Sequence, residues 1–250
     1  MSRALVTLLT DFGTADGYVA EMKGVLLTGA REAVIVDVSH DIAPQDLEAG
    51  RLALARYWRR FPEGTIHIAV IDPGVGSGRG ALAVESQRRY LVGPDNGLLS
   101  PALLAPGARV VRLGVPPSDS PTFHGRDVFA PAAVPLATGP AFDALGAPVS
   151  DPVIRRTPEP HRGADGSIEG RVVTVDRFGN LITNLIGVRG GEVTIAGHTV
   201  PVRHTYSDVN AGEIVAVVGS SGLLEVAVRD GNAAVLLGVA RGTVVALRAG

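Results

Sequence analysis

Three stretches of this chain place polar side chains where an apolar run ends. The first is Ile71 to Gly80, IDPGVGSGRG, in which a carboxylate (Asp72) and a cation (Arg79) are separated by Pro73, Gly74, Gly76 and Gly78. The second is TFHGRDVFAP, carrying His124, Arg126 and Asp127. The third is Thr10-Asp11-Phe12-Gly13. A carboxylate, a guanidinium and an imidazole that meet can orient and deprotonate a small nucleophile, with fixed positive charge from Arg79. Taken singly, Asp72 also reads as the cap of a tight turn, and His124 as a packing histidine. The glycine loop lacks the Lys-Ser or Lys-Thr that closes a phosphate-cradling loop. Ser77 lies in it, but no G-x-S-x-G elbow is present, and no H-E-x-x-H or close His pair suggests zinc.

A second set of polar residues lies further on. Asp176-Arg177-Phe178-Gly179-Asn180 pairs a ring that can stack on a base with an amide that both donates and accepts, which suits an adenine edge. The same residues also read as an ordinary turn. Tyr206 offers an aromatic wall, and Gly219-Ser220-Ser221-Gly222 offers backbone and hydroxyl donors for a carboxylate.

The elements that must position these groups follow from apolar patterning. Ala4 to Leu9, Ala33 to Val38 and Ile66 to Ile71 read as buried strands, each delivering polar residues at its C-terminal end, where open α/β sheets bind ligands. Helices are expected over Tyr18 to Thr28, around Leu47, Leu54, Tyr57 and Trp58, over Leu98 to Leu104 and over Asp127 to Thr138. Ala81 to Glu85 and Tyr90 to Val92 read as two strands joined by Ser86-Gln87-Arg88-Arg89, and Val110 to Leu113 as another. Gly93-Pro94-Asp95-Asn96-Gly97 is a dense turn signal. Prolines and glycines crowd between residues 146 and 170. Beyond them, helical patterns give way to short β-type runs and glycine turns. The fold class is therefore α/β: an N-terminal α/β domain with a mainly parallel sheet (1–147), a linker (148–169), and a smaller C-terminal antiparallel β domain, a barrel or sandwich (170–250).

Composition narrows the function. The 250 residues are 46% hydrophobic with a formal net charge of −2, enough for a core and without the basic balance that nucleic acid or an anionic membrane calls for. Zero cysteines remove disulfides, thiolate ligands and a cysteine nucleophile. The N-terminus reads as a first strand, not a signal peptide, and no run is long enough to span a bilayer, so a cytoplasmic protein is expected.

In order and spacing, the segments LTDFGTADGYVAEMKG, VDVSHDIAPQDLEAG, FPEGTIHIAVIDPGVGSGRGALAV, GPDNGLLS, PTFHGRDVFAPAA, VDRFGNLITN and GSSGLLEVAVRDGNAA resemble the S-adenosyl-L-methionine hydroxide adenosyltransferase family, relatives of the fluorinating and chlorinating adenosyl transferases. The resemblance implies conversion of S-adenosylmethionine and water to adenosine and L-methionine. It implies no cofactor beyond the substrate, and a homotrimer with active sites between subunits. Asp72, Arg79 and His124 fall on the family's water-positioning set. Asp11 matches the residue holding the ribose hydroxyls. Phe178, Asn180 and Tyr206 match adenine-site residues, Asp176 a partner of the methionine amino group, and Ser220 and Ser221 the holders of its carboxylate. Phe123 and Ala233, inside matching segments, complete the implied substrate-binding set. The halogenating relatives read Tyr-Ser where this chain has His124-Gly125, and carry an inserted loop near Ser86 to Arg89. Both differences argue against a halogenase. Gln45 replaces the aromatic that flanks the ribose in those relatives. A chloride-using transferase and a non-catalytic adenosine-binding module are the competing readings.

Overall fold

The structure, a computed structural model, describes residues 3–116, 118–139 and 142–248. The chain divides into two compact units, residues 1–156 and 157–250. In the first, the order is β1 (Leu5–Thr10), α1 (Tyr18–Gly29), β2 (Val34–Ser39), α2 (Leu47–Tyr57), β3 (Ile66–Val70), β4 (Ala81–Ser86), β5 (Arg89–Pro94), α3 (Ser100–Leu103), β6 (Arg109–Leu113), α4 (Ala130–Thr138) and β7 (Gly146–Pro148). The seven strands form one sheet in the order β2-β1-β3-β5-β4-β6-β7. The β2-β1, β1-β3 and β3-β5 ladders are parallel, and the three beyond them antiparallel.

β3 shows why the centre of this sheet reads as an unbroken apolar run. Ile66, Ile68 and Val70 pack into one core with Met22 and Leu26 of α1 and Ala133 and Leu136 of α4. Ala69 and Ile71 face the opposite core, with Leu54 of α2, Trp58 and Ala102 of α3. Successive side chains alternate between faces, and here both faces are covered. The polar member of β3, His67, is fully buried, and its Nδ1 lies 2.7 Å from Thr7 Oγ1. Burial, aided by the charge of Arg89, pushes its pKa down to about 4, so it is a neutral core residue.

The GPDNG turn has a structural task. Asn96 donates from Nδ2 to the Ile71 carbonyl at 2.9 Å and accepts from Leu98 N at 3.1 Å, pinning the end of β3 one residue before Asp72. Residues after β7 stay on this unit: Val153 N donates to Asp95 Oδ1 at 2.8 Å and Arg155 N to Ser100 Oγ at 2.8 Å.

The second unit holds β8 (His161–Arg162), β9 (Ile168–Val175), β10 (Leu181–Ile186), β11 (Glu192–Ile195), β12 (His198–Arg203), β13 (Ile214–Val218), β14 (Leu223–Val228), α5 (Ala233–Leu237) and β15 (Val244–Arg248). The order β10-β14-β13-β12-β11-β15-β9-β8, with a further β10–β9 pairing, closes seven of these strands into a barrel and adds β8 at its edge. Closure removes exposed strand edges. All ladders are antiparallel except β12–β13, which is parallel. Helical periodicity is absent from this part of the sequence, yet α5 forms. It spans one turn or so, too short to show a 3.6-residue repeat, and is started by Asn232, whose Oδ1 accepts from Val235 N at 2.9 Å. β10 also lacks a plain apolar signal, because its buried Thr183 and Asn184 interrupt the pattern.

Candidate active site

Asp72 and Arg79 meet. Arg79 Nε donates to Asp72 Oδ1 at 2.9 Å, Nη2 donates to Oδ2, and Nη1 donates to the Gly80 carbonyl at 3.1 Å. Side-chain exposure is 9% for Arg79 and 5% for Asp72, so this is a buried, two-pronged ion pair. The loop between them folds on itself, with Val75 N donating to Asp72 O at 3.2 Å and Ser77 Oγ to Gly74 O at 2.6 Å. Gly76 is required there: φ is +76°, and a Cβ would stand 2.5 Å from the Pro121 carbonyl.

His124 joins the pair from a distant part of the chain. Its Nδ1 lies 2.8 Å from Arg79 Nη2. A guanidinium only donates, so Nδ1 must accept, and the ring proton of neutral His124 belongs on Nε2. Burial, reinforced by the Arg79 charge and partly offset by Asp72, lowers the imidazole pKa below its ordinary value. His124 opens a π-helical turn, residues 125–129, that runs into α4. Such turns absorb missing intrahelical bonds, and Pro131 lacks the N–H that a continuous α-helix here would use. Arg126 anchors the turn by donating to Asp127 and, at 2.7 Å, to Glu21 of α1.

A cleft of about 420 Å³ opens onto this set, lined by Asp72, His124, Phe123, Phe12, Tyr18 and Arg126 among others. Phe12, Tyr18 and Phe123 contact one another edge to face, with centroids 5.3 to 6.1 Å apart. Phe12 and Tyr18 belong to this wall although neither stood out as a site residue in the sequence. The signal available was the position of Phe12 directly after Asp11. Asp11 is half-buried, and its Oδ2 accepts from Gln45 N at 2.7 Å, with Gln45 held at φ 65°. Gly125 sits beneath the rings. A Cβ there would come within 3.1 Å of Met22 Sδ and of Phe123, so a serine needs its neighbours to give way.

The remaining candidates lie on the barrel unit. Asp176 Oδ1 accepts from Phe178 N and Asn180 N, both at 2.9 Å, and Oδ2 from Asn180 Nδ2 at 3.0 Å. The carboxylate therefore holds Asn180 in place, while the Phe178 ring stands 72% exposed. Gly179, at φ +86°, packs so closely on Asn232 that no Cβ fits. Its carbonyl accepts from Ala234 N at 3.1 Å, which joins this turn to α5, whose first residue is the buried Ala233. Tyr206 begins a capped turn, and its hydroxyl donates to the buried Glu225. Ser220 and Ser221 are exposed in the β13–β14 loop, closed by Gly219 N donating to Leu223 O at 2.9 Å. Among the described residues, no cluster of three or more His, Cys, Asp or Glu side chains is arranged to hold a metal, and no helix is long and apolar enough to cross a membrane.

The ion pair and the imidazole depend on one another unequally. Arg79→Ala leaves Asp72 buried without its cation, a loss of about 3–5 kcal/mol. His124→Ala leaves the ion pair intact and removes one hydrogen bond, about 1 kcal/mol. Urea denaturation of both variants is expected to show this gap; equal destabilisation would mean that His124 supports the buried pair as much as Arg79 does.

Comparison with known proteins agrees along the whole chain. Residues 6–146 match the SAM hydroxide adenosyltransferase N-terminal domain, and residues 170–246 match the C-terminal domain of that family. A curated (R)-S-adenosyl-L-methionine hydrolase of Thermus thermophilus is 44% identical over 97% of this chain and 98% of its own length. One of the same name from Salinispora tropica is 37% identical over 98% of each. The crystal structure of an uncharacterized conserved protein from Thermotoga maritima superposes with a TM-score of 0.88 at 28% identity, covering 97% of this chain and 100% of that one. With both domain families in place and relatives of this identity along its full length, the chain belongs to the SAM hydroxide adenosyltransferase family.

Proposed function

We propose that this protein hydrolyses S-adenosyl-L-methionine to adenosine and L-methionine. The observation that carries the reading is the Asp72–Arg79–His124 contact at the mouth of an aromatic-lined cleft. The names of the relatives, which specify the (R) form of the substrate, support it. Water attacks C5′ of the ribose, an O–C5′ bond forms, and the C5′–S bond breaks. The electron pair neutralises the sulfonium, and one water proton leaves. Because the leaving group departs as a neutral thioether, catalysis concerns placing water and taking its proton.

The tautomer of His124 divides these roles. With Nδ1 accepting from Arg79, the imidazole presents Nε2–H and serves as a donor that orients the water oxygen. Each Asp72 oxygen keeps a lone pair beyond those used by Arg79, and takes the proton. Asp11 holds the ribose hydroxyls, and Phe123 closes the wall beside C5′. Phe178, Asn180, Tyr206 and Ala233 form the adenine site, and Asp176, Ser220 and Ser221 hold the methionine end. The tight seat of Gly125 supports water over halide as the nucleophile, since the serine of the halogenating relatives would need Met22 and Phe123 to give way there.

Incubation of the protein with S-adenosylmethionine in ¹⁸O-water is expected to yield adenosine and methionine in equal amounts, with label on the 5′ oxygen. A 5′-chloronucleoside as the main product in chloride buffer would overturn the hydrolase reading.

The active form requires neutral His124, because protonation places N–H against Arg79. Its folded pKa is lowered, so kcat/KM is expected to hold as pH falls to about 6.5, the ordinary imidazole value, and to drop only below it. Stability follows the same sign, since the unfolded chain takes up the proton first. His124→Asn, which can still accept from Arg79 but lacks the outward N–H, is expected to lose about 10²-fold in kcat and to move the acid limb lower. An unchanged limb in that variant would assign it to another group.

The protein acts as a cyclic homotrimer whose neighbouring copies complete each site. Supporting this are the bare apolar side chains of the barrel unit: Phe178, Val235 and Leu236 are 72%, 79% and 59% exposed. Light scattering is expected to give three chains; a fully active monomer would refute the shared site.

A further inference from the structure

Asp11 sits in a loop whose own fixing is unusual. The backbone N–H of Phe12 donates to Thr10 Oγ1 at 3.3 Å, and Thr10 Oγ1 lies 2.8 Å from His40 Nδ1. His40 Nε2 lies 3.1 Å from Asp37 Oδ1, at hydrogen-bonding length but off the straight line of a well-formed bond. Lys23 of α1 donates to Asp37 Oδ2 at 2.5 Å. Returning along the backbone, Gly13 N donates to the His40 carbonyl at 2.9 Å. Thr10 is fully buried and His40 is 6% exposed.

The donors and acceptors allow one direction through this chain. Asp37, facing Lys23, is a carboxylate and accepts, so His40 carries its proton on Nε2. Nδ1 then accepts the Thr10 hydroxyl proton, which leaves the Thr10 oxygen free to accept from Phe12 N. An apolar pair in place of Thr10 and His40 would fill the same space but leave the Phe12 N–H without its acceptor. What the polar chain adds is a fixed position for residues 11–13, between the ends of β1 and β2, under the aromatic wall and beside the Gln45 amide that holds Asp11.

We propose that His40 is a positioning residue. Through Thr10 it sets the Asp11–Phe12 loop in the conformation that receives the ribose, and it contacts neither substrate nor water. The proposal rests on the reading of Asp11 as the ribose holder.

Two substitutions separate the halves of the imidazole. His40→Asn keeps an acceptor where Nδ1 stood, and His40→Gln keeps a group where Nε2 stood and loses the Thr10 contact. Thr10→Val breaks the same link from its other end. Amide hydrogen exchange on the free proteins, with KM, kcat and melting temperature on the same samples, forms the test. In His40→Gln and Thr10→Val, exchange at Phe12 and Gly13 is expected to quicken by about tenfold, and KM to rise by a similar factor, the size of one lost hydrogen bond. kcat and the exchange of β3 amides should stay close to wild type, and His40→Asn should resemble wild type throughout. Unchanged exchange at Phe12 and Gly13, or a KM that rises equally in His40→Asn and His40→Gln, would overturn the proposal. A wild-type protein without turnover would sink the hydrolase reading alone, because exchange at those two amides still decides the role of His40.

Discussion

The buried pair of Asp72 and Arg79 is the contact on which the site depends. A guanidinium and a carboxylate taken out of water together cost several kcal/mol each to desolvate, and recover it only when every proton and lone pair finds a partner. Here Arg79 spends its donors on two Asp72 oxygens, the Gly80 carbonyl and His124 Nδ1, and its planar face lies 5.4 Å from the Phe129 ring centroid. Those four hydrogen bonds hold the guanidinium in one orientation. They also fix the protonation state of a residue 45 positions away, since His124 can enter the set only as an acceptor.

Much of the surrounding structure serves to bring those three side chains to one point. β3 ends where Asn96 takes the Ile71 carbonyl, so Asp72 leaves the sheet at a set angle. The glycine loop returns Arg79 to the carboxylate within eight residues, which side chains at Gly76 would block against Pro121. The π-helical turn after His124 tolerates Pro131 while keeping the imidazole at the head of α4. These devices act on the backbone, and none touches the reacting groups. On the barrel unit Asp176 likewise fixes backbone, accepting from Phe178 N, Asn180 N and Asn180 Nδ2 and holding that turn in place.

The sequence was informative where physics is local. Strands buried on both faces are continuous apolar runs, so β1 and β3, and the polar residues at their ends, stood out with no further information. The family resemblance then tied segments that no periodicity could join. Less legible were features made by distant residues or by very short elements. Phe12, Tyr18 and Phe123 form one wall; Phe12 adjoins Asp11 and Phe123 adjoins His124, but Tyr18 adjoins no residue that reads as functional. β10 hides because its buried Thr183 and Asn184 find partners in the Leu224, Arg171 and Pro158 backbones, a satisfaction that hydropathy cannot register. α5 is too short for a period, and its cap, Asn232, reads as a turn residue until Gly179 is seen packed against it.

The buried histidines among the described residues fall into two kinds. His67 is held neutral inside the sheet with Thr7 as its partner, where burial, aided by the charge of Arg89, accounts for its state. His40 and His124 lie at strand or helix ends, each with Nδ1 committed to a neighbour: Thr10 for His40, and for His124 the Arg79 guanidinium, which only donates. In the first kind the polar group is accommodated by the core. In the second it transmits a fixed orientation from the scaffold to a loop, and both such histidines border the cleft or the Asp11 loop beside it. A hydrogen-bonded polar chain specifies the position of a loop in a way that apolar packing, which permits sliding, does not. For a reaction whose difficulty is the placement of one water opposite one sulfur, that is the property the fold must supply.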